Sequence, residues 1–75
     1  METILVTGGA GFIGSTFARI ALERGHSVRI VDNLSTGSQE VADELQDLGA
    51  EIIVGDIRDL NVMNTALHGV DFIVH

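Results

Sequence analysis

The sequence predicts an α/β fold in which parallel strands alternate with helices. Apolar runs rich in Val and Ile recur along the 75 residues, and amphipathic helical patterns fill the intervals between them. The first three runs begin at positions 4, 28 and 52, which is the spacing of successive βα units. A glycine-rich decapeptide, VTGGAGFIGS at positions 6–15, joins the first run to the first helical pattern. These three features predict a doubly wound parallel sheet.

Four strands are predicted, each from an apolar run without polar alternation. They cover Ile4–Val6, Val28–Val31, Ile52–Val54 and Phe72–Val74. Continuous apolar runs are typical of strands buried on both faces of a parallel sheet. We therefore expect helices on both faces, in three layers. Short connections require right-handed crossovers, which give the strand order 3-2-1-4.

Three helices are predicted from apolar stripes at helical spacing. The stripes are Ile13, Phe17, Ile20 and Ala21; then Val41, Ala42, Leu45 and Leu48; then Leu60, Met63 and Leu67. A glycine follows each stripe, where a residue in the left-handed conformation commonly ends a helix: Gly25, Gly49 and Gly69. Asp59 suits the N-cap of the third helix, and either Ser38 or Thr36 suits that of the second.

Length and composition limit the chain to one small globular domain, residues 1–75. No apolar run approaches the roughly 18 residues that span a membrane, and Met1-Glu2-Thr3 does not resemble a secretory signal. We therefore expect no membrane partner and a cytoplasmic location. The net charge of −7 disfavours nucleic acid as a partner, because phosphate binding requires a clustered basic surface.

The glycine-rich segment predicts a dinucleotide site. Gly9, Gly11 and Gly14 fit the spacing G-x-G-x-x-G, and Gly8, Gly11 and Gly14 fit the spacing G-x-x-G-x-x-G. Between a strand and a helix, such a loop directs helix amides at a pyrophosphate. Asp32 ends the second strand, where a carboxylate holds a ribose diol and repels a 2′-phosphate, so NAD is favoured over NADP. The alternative is a turn that only packs helix on strand, with the acidic side chain solvated.

Four segments carry a family resemblance: TGGAGFIGS, VDNLSTG, GDIRD and the terminal DFIVH. They resemble the N-terminal part of the extended short-chain dehydrogenases/reductases, in the NAD-dependent sugar-nucleotide epimerase/dehydratase group, with UDP-glucose 4-epimerase-like proteins as the nearest likeness. The resemblance implies a Rossmann-like segment that forms the N-terminal half of a dinucleotide-binding domain. In the NAD site that the resemblance implies, the residues at the pyrophosphate would be Gly8, Gly11, Phe12, Ile13 and Gly14.

The same resemblance implies the residues of the adenosine half. Asp32 would hold the ribose, and the following loop would close around ribose and adenine with Asn33, Leu34, Ser35, Thr36 and Gly37. Asp56 and Ile57 would meet the adenine ring. From the residues alone, Asp56 is equally consistent with an ordinary turn aspartate beside Gly55.

No catalytic residue is assigned. The family enzymes are similar to one another in a Ser or Thr plus a Tyr-x-x-x-Lys pair in the later half of a longer chain, whereas this chain has neither tyrosine nor lysine. His26 and His68 flank helix-ending glycines and are expected in solvated loops; His75 has no carboxylate near it in sequence. No two histidines share metal-ligand spacing on one element, so no metal site is predicted.

Three interpretations of function follow. The first is the NAD-binding N-terminal segment of an epimerase or dehydratase, not catalytic alone and meeting a nucleotide sugar only with the rest of the family chain. The second is a stand-alone module that binds NAD or an adenine nucleotide without turnover. The third is a folding or interaction unit with a vestigial pocket. We expect the isolated chain to self-associate, or to depend on the remaining half of the family's sheet, through the outer strand Asp71–His75, which no proline or lysine protects.

Overall fold

Strands and helices alternate along the chain, as predicted. The computed structural model describes residues 2–34 and 38–75. The elements are β1 (Thr3–Thr7), α1 (Phe12–Glu23), β2 (Ser27–Asp32), α2 (Gln39–Asp47), β3 (Glu51–Val54), α3 (Leu60–Leu67) and β4 (Phe72–Val74). Every predicted strand and helix is therefore confirmed, with boundaries that differ by a few residues.

The four strands form one parallel sheet in the order β3-β2-β1-β4. Val6 in β1 lies opposite Ile30 in β2 and Val74 in β4. The predicted order 3-2-1-4 is thus confirmed. The chain moves outward from β1 to β3 and then returns to the other side of β1. This reversal opens a crevice at the carboxyl ends of the central strands, where ligands bind in open α/β sheets.

Helices cover both faces of the sheet and create two core layers. One layer joins α1 and α2 to the sheet through buried residues that include Val6, Ala18, Ile30 and Leu45. The other joins α3 to the opposite face through Leu5, Val31 and Ala66. The three-layer prediction is confirmed.

The helix ends follow local chemistry. The three predicted terminating glycines have positive φ, with 84° at Gly25, 111° at Gly49 and 72° at Gly69. Ser38 Oγ accepts a hydrogen bond from the Val41 amide and caps α2, and Asp59 caps α3. Thr36, the other predicted cap, lies outside the described residues.

The buried face of α1 differs from the predicted stripe. Ser15, Ala18 and Ala21 face the sheet, whereas Ile13 is 81% exposed and Phe17 and Ile20 are partly exposed. The helix approaches the strands closely beside the glycine loop, so only small side chains fit between them. The larger side chains consequently point away from the sheet. In α3, likewise, Ala66 is buried and Leu60 of the predicted stripe is exposed.

Burial on both faces holds for the central strands and fails at the outer strands β3 and β4; in β3, Val54 is 60% exposed. Leu5 and Ile30 have no exposed surface, but Phe72 and Ile73 are 53% and 56% exposed. In a four-stranded sheet β4 has a neighbour on one side only, and α1 leans towards β2. A continuous apolar run therefore did not distinguish an outer strand from a central one.

Arg29 fastens α3 to the sheet. From β2, its Nη1 donates to the carbonyl oxygens of Ala66 and His68, each at 2.7 Å, and its Nε donates to Glu51 at 3.2 Å. The last carbonyls of a helix lack intrahelical donors and carry a partial negative charge. The guanidinium supplies these carbonyl groups with hydrogen-bond donors and a positive charge, and it thereby holds α3 over β2.

Candidate functional site

A cleft of about 240 Å³ lies at the carboxyl ends of the strands. It is lined by Thr7, Gly8, Gly11, Val31, Asp32, Asn33, Gly55, Ile57 and His75. The structure therefore brings together the glycine loop, the end of β2 and the start of the loop after β3. The Gly55 amide donates to the Asp32 carbonyl at 3.0 Å, which holds the last two of these segments side by side.

Three glycines shape the loop after β1 in different ways. Gly8 has φ of 69°, and its amide donates to the Val31 carbonyl at 2.9 Å, so it turns the chain at the end of the sheet. A Cβ on Gly14 would lie 2.5 Å from the Gly8 oxygen. Because glycine lacks this atom, α1 can begin directly against the turn. A Cβ on Gly11 would be 3.3 Å from that oxygen, at the cleft wall.

Gly9 has a packing role that spacing alone did not indicate. A Cβ there would come within 2.5 Å of the Ile30 side chain. Gly9 is buried, whereas Gly8 and Gly11 line the cleft. Of the two overlapping glycine spacings, the cleft is therefore formed by the one that begins at Gly8.

The amino terminus of α1 opens on the cleft. Gly11 is its N-cap; within the described part of the chain no side chain caps this end and its first turn holds no acidic residue. Phe12 is 88% exposed and Ile13 also projects from the helix. The amides of the first turn are thus left for an anion, which the helix dipole attracts.

Asp32 is buried and holds the glycine loop. Its side chain accepts hydrogen bonds from the Ala10 amide at 3.0 Å and from the Leu34 amide at 2.7 Å, one on each carboxylate oxygen. A carboxylate oxygen can accept two hydrogen bonds. Among the described residues, each carboxylate oxygen therefore keeps a further acceptor position, and Asp32 lines the cleft. The bond to Ala10 is a structural role that the sequence did not reveal.

The loop after β2 is described only in part. Asn33 lines the cleft, and Leu34 has φ of 62°, a left-handed conformation that is uncommon outside glycine. The Leu34 amide bond to Asp32 stabilises this turn. The predicted residues Ser35, Thr36 and Gly37 lie outside the described residues.

Asp56 and Ile57 stand at the same end of the cleft, in different environments. Ile57 lines the cleft, whereas the Asp56 side chain is paired with Arg58. Hydrogen bonds from the Arg58 guanidinium and amide lower the pKa of Asp56 to about 2. The carboxylate is therefore ionised at any physiological pH.

Thr7 and His75 lie at the point where this cleft meets a second one. Thr7 Oγ1 is 2.7 Å from His75 Nδ1. Both side chains, with Gly8 and Gly11, also line a second cleft of about 510 Å³ that extends over the start of α1 towards Phe17 and Val74. Sequence reasoning missed Thr7; its position at the end of β1, directly before the glycines, is the signal that could have identified it.

The described residues, 2–34 and 38–75, lack two further features. They hold no cluster of three or more His, Cys, Asp or Glu side chains able to ligate a metal ion. None of their helices has both the length and the apolar character needed to cross a bilayer.

Comparison with known proteins identifies the family. A sequence model of the NmrA-like family matches residues 1–75. The chain belongs to this family. Among curated proteins, the NmrA-like chain is similar to a UDP-glucose 4-epimerase from Corynebacterium glutamicum, with 42% identity over 72 residues. That match covers 96% of this chain and 21% of the relative.

Solved structures share the fold. A UDP-glucose-4-epimerase from Stenotrophomonas maltophila, with bound NAD and formylated UDP-arabinopyranose, matches with a TM-score of 0.89 and 32% identity, over 100% of this chain and 24% of that one. A dTDP-glucose 4,6-dehydratase from Bacillus anthracis in complex with NAD matches with a TM-score of 0.86 and 29% identity, over 97% and 26%. The NmrA-like chain thus spans about a fifth to a quarter of these proteins. Its predicted place in the extended short-chain dehydrogenases/reductases is confirmed.

Proposed function

We propose that this chain binds NAD in the cleft at Asp32, as the N-terminal NAD-binding segment of a sugar-nucleotide epimerase or dehydratase. The observation that carries the proposal is the 3.0 Å hydrogen bond from the Ala10 amide to Asp32. It places the acceptor for a ribose diol directly beside a glycine loop that leads into the open end of a helix. Diol and diphosphate of one ligand can therefore be bound together.

The parts of the cofactor follow from the chemistry of the cleft. The diphosphate lies on Gly8, Gly11 and Gly14, with the amides of Phe12 and Ile13. The adenosine ribose bonds to Asp32, beside Asn33 and Leu34. The predicted contacts of Ser35, Thr36 and Gly37 with ribose and adenine belong to the same proposal. The base lies at Asp56 and Ile57, between the ends of β2 and β3. The second half of the dinucleotide extends past Thr7 and His75 into the larger cleft.

Asp32 gives the site its preference for NAD over NADP. Its free acceptor positions suit two ribose hydroxyl groups, whereas a 2′-phosphate would bring like charges together in a buried place. Arg29, the only arginine in β2, is occupied with α3 and Glu51.

Catalysis and sugar binding need residues that this chain does not carry. It contains no tyrosine and no lysine for the pair that its family resemblance implies. We therefore propose that it is not catalytic alone, and that a nucleotide sugar is a ligand only together with the remainder of a chain of the relatives' length. A stand-alone binding module is the alternative, and the mass of the protein isolated from its source cells separates the two.

We also propose that the outer edge of β4 pairs with another copy of the chain. Phe72 and Ile73 are both about half exposed although they point to opposite faces of the sheet. β4 pairs with β1 along one edge, and its other edge has no strand among the described residues. Exposed apolar edge strands are prone to intermolecular pairing.

Calorimetric titration with NAD, ADP-ribose, AMP and NADP tests the binding proposal. We expect NAD and ADP-ribose to bind, AMP to bind more weakly, and NADP to bind at least about tenfold more weakly than NAD, which corresponds to about 1.4 kcal/mol. Equal affinity for NAD and NADP would contradict the role of Asp32. A folded chain that binds none of the four would contradict the site itself.

A further inference from the structure

Arg58 occupies most of the Asp56 carboxylate. Its amide donates to Oδ1 at 2.8 Å, and its Nη2 donates to Oδ2 at 2.7 Å. Its single Nε–H is shared between the two oxygens, at 3.1 Å from each. Since a carboxylate offers about four acceptor positions, the three N–H groups of Arg58 leave little acceptor capacity and engage both oxygens.

This ion pair stands at the rim of the cleft, beside the proposed base position. Gly55 and Ile57, the neighbours of Asp56 in sequence, both line the cleft. The Arg58 side chain is 86% exposed and that of Asp56 is 37% exposed. Solvent screens an exposed ion pair, so a bound ligand can displace Arg58 at small cost.

We propose that Arg58 is a specificity-determining residue, which competes with the 6-amino group of a purine for Asp56 and lets the cleft accept a 6-oxo purine as well. The inference rests on the proposed dinucleotide site. An adenine amino group needs an acceptor, and Asp56 accepts from it less strongly while the Arg58 guanidinium engages both carboxylate oxygens. A hypoxanthine 6-oxo group needs a donor, which the guanidinium supplies. The Asp56–Arg58 ion pair therefore reduces the discrimination between adenine and hypoxanthine, and removal of Arg58 increases it.

Titration with NAD and nicotinamide hypoxanthine dinucleotide tests this competition. The two ligands carry the same charge and differ in the base at position 6 and at N1, which is an acceptor in adenine and an N–H donor in hypoxanthine. Comparison of their affinity ratio between variant and wild type cancels the N1 difference and any general change in electrostatics. We expect Arg58→Ala to increase the preference for NAD about fivefold, the value of one hydrogen bond of about 1 kcal/mol. Arg19→Ala is the matched control, because Arg19 forms a comparable ion pair with Glu44 on the surface of α1 and α2.

A double variant and a titration complete the test. Asp56→Asn in the Arg58→Ala background should return the affinity ratio to the wild-type value. By NMR, the pKa of Asp56 should rise from about 2 towards its ordinary value of 3.8 in Arg58→Ala, which verifies that the carboxylate has been released. Circular dichroism confirms that each variant is folded.

The outcomes separate the two proposals. A ratio that stays at the wild-type value in folded Arg58→Ala, with both dinucleotides bound, overturns the competition and leaves the NAD site intact. A ratio that shifts equally in Arg19→Ala also overturns it. If the folded wild-type chain binds neither dinucleotide, the NAD site is wrong and the role of Arg58 falls with it.

Discussion

Thr7 Oγ1 and His75 Nδ1 lie 2.7 Å apart, at the carboxyl ends of two adjacent parallel strands. Both residues border the two clefts that meet at Gly8 and Gly11. The hydrogen bond therefore orients an imidazole at the midpoint of the proposed dinucleotide path. A ligand that fills only one cleft can bind without contacting this imidazole, whereas a ligand that fills both clefts must pass it.

Thr7→Val should consequently weaken NAD more than AMP. We expect about a fivefold loss for NAD, which is the value of one hydrogen bond, and little change for AMP. Thr7→Ser keeps the hydroxyl group and should restore NAD affinity. Calorimetry with both ligands measures the difference, and equal losses for NAD and AMP would show that the hydroxyl has no particular role at the junction.

Asp32→Asn should reduce both affinity and selectivity. The variant keeps one acceptor oxygen but loses the charge, so we expect a loss of about 1–3 kcal/mol in NAD binding and a smaller loss for NADP. Asp47→Asn, at the exposed end of α2, is the control. An NAD/NADP affinity ratio that does not fall in Asp32→Asn would contradict the assignment of the ribose to this side chain.

Gly14→Ala and Gly11→Ala should separate packing from binding. The new Cβ of Gly14→Ala would lie 2.5 Å from the Gly8 oxygen, and such overpacking against backbone costs about 1–3 kcal/mol in the free energy of unfolding. Gly11→Ala meets the same oxygen at 3.3 Å, a tight but smaller overlap, so it should lose less stability than Gly14→Ala but bind NAD more weakly. Gly11→Val should bind more weakly still.

Urea unfolding and calorimetry together check this pair of glycine variants. The expected pattern is a stability defect in Gly14→Ala and a binding defect in Gly11→Ala. The reverse pattern would mean that Gly11, and not Gly14, supports the start of the helix.

Arg29→Met should destabilise the fold. The variant keeps a similar apolar stem but leaves the carbonyl groups of Ala66 and His68 without their donor; hydrogen bonds to charged groups contribute about 1.5–3 kcal/mol. Arg19→Met, which removes an exposed surface pair, should cost at most about 1 kcal/mol. Thermal unfolding of both variants measures the contrast, and equal melting temperatures would refute the proposed anchoring of α3.

Ile73→Lys should reduce self-association of the chain. A lysine on an edge strand opposes pairing with a second strand. Leu60→Lys removes a similarly large and more exposed side chain from α3, at 78% exposure, and should leave association unchanged. Sedimentation velocity over a range of concentrations distinguishes them. A wild-type chain that stays monomeric at every concentration would contradict the proposed edge contact.

Addition of NAD should raise the melting temperature of the wild-type chain. A ligand that binds only the native state stabilises it by about 2.7 kcal/mol at a concentration 100 times its dissociation constant. The thin core makes such a shift easy to observe. A melting temperature that does not change in millimolar NAD would favour the interpretation of the pocket as vestigial.

The sequence by itself determined the order of elements, the parallel sheet, the helix ends and the glycine loop. These features depend on local properties: the period of apolar residues, the freedom of Gly25, Gly49 and Gly69 to adopt positive φ, and the caps at Ser38 and Asp59. The crossover rule then converts the alternation into the strand order 3-2-1-4 without knowledge of any contact.

The tertiary structure decided which side chains meet. The close approach of α1 to the sheet selected Ala18 and Ala21 as its buried face and left Ile13 outside, although Ile13 is the more apolar residue. Likewise, the partners of Arg29 are 37 and 39 residues away, and the partner of Thr7 is 68 residues away. Such pairs depend on the distance and register between elements, which no local pattern records. Sequence could therefore place the cleft, while only the packed fold showed which hydrogen bonds shape it.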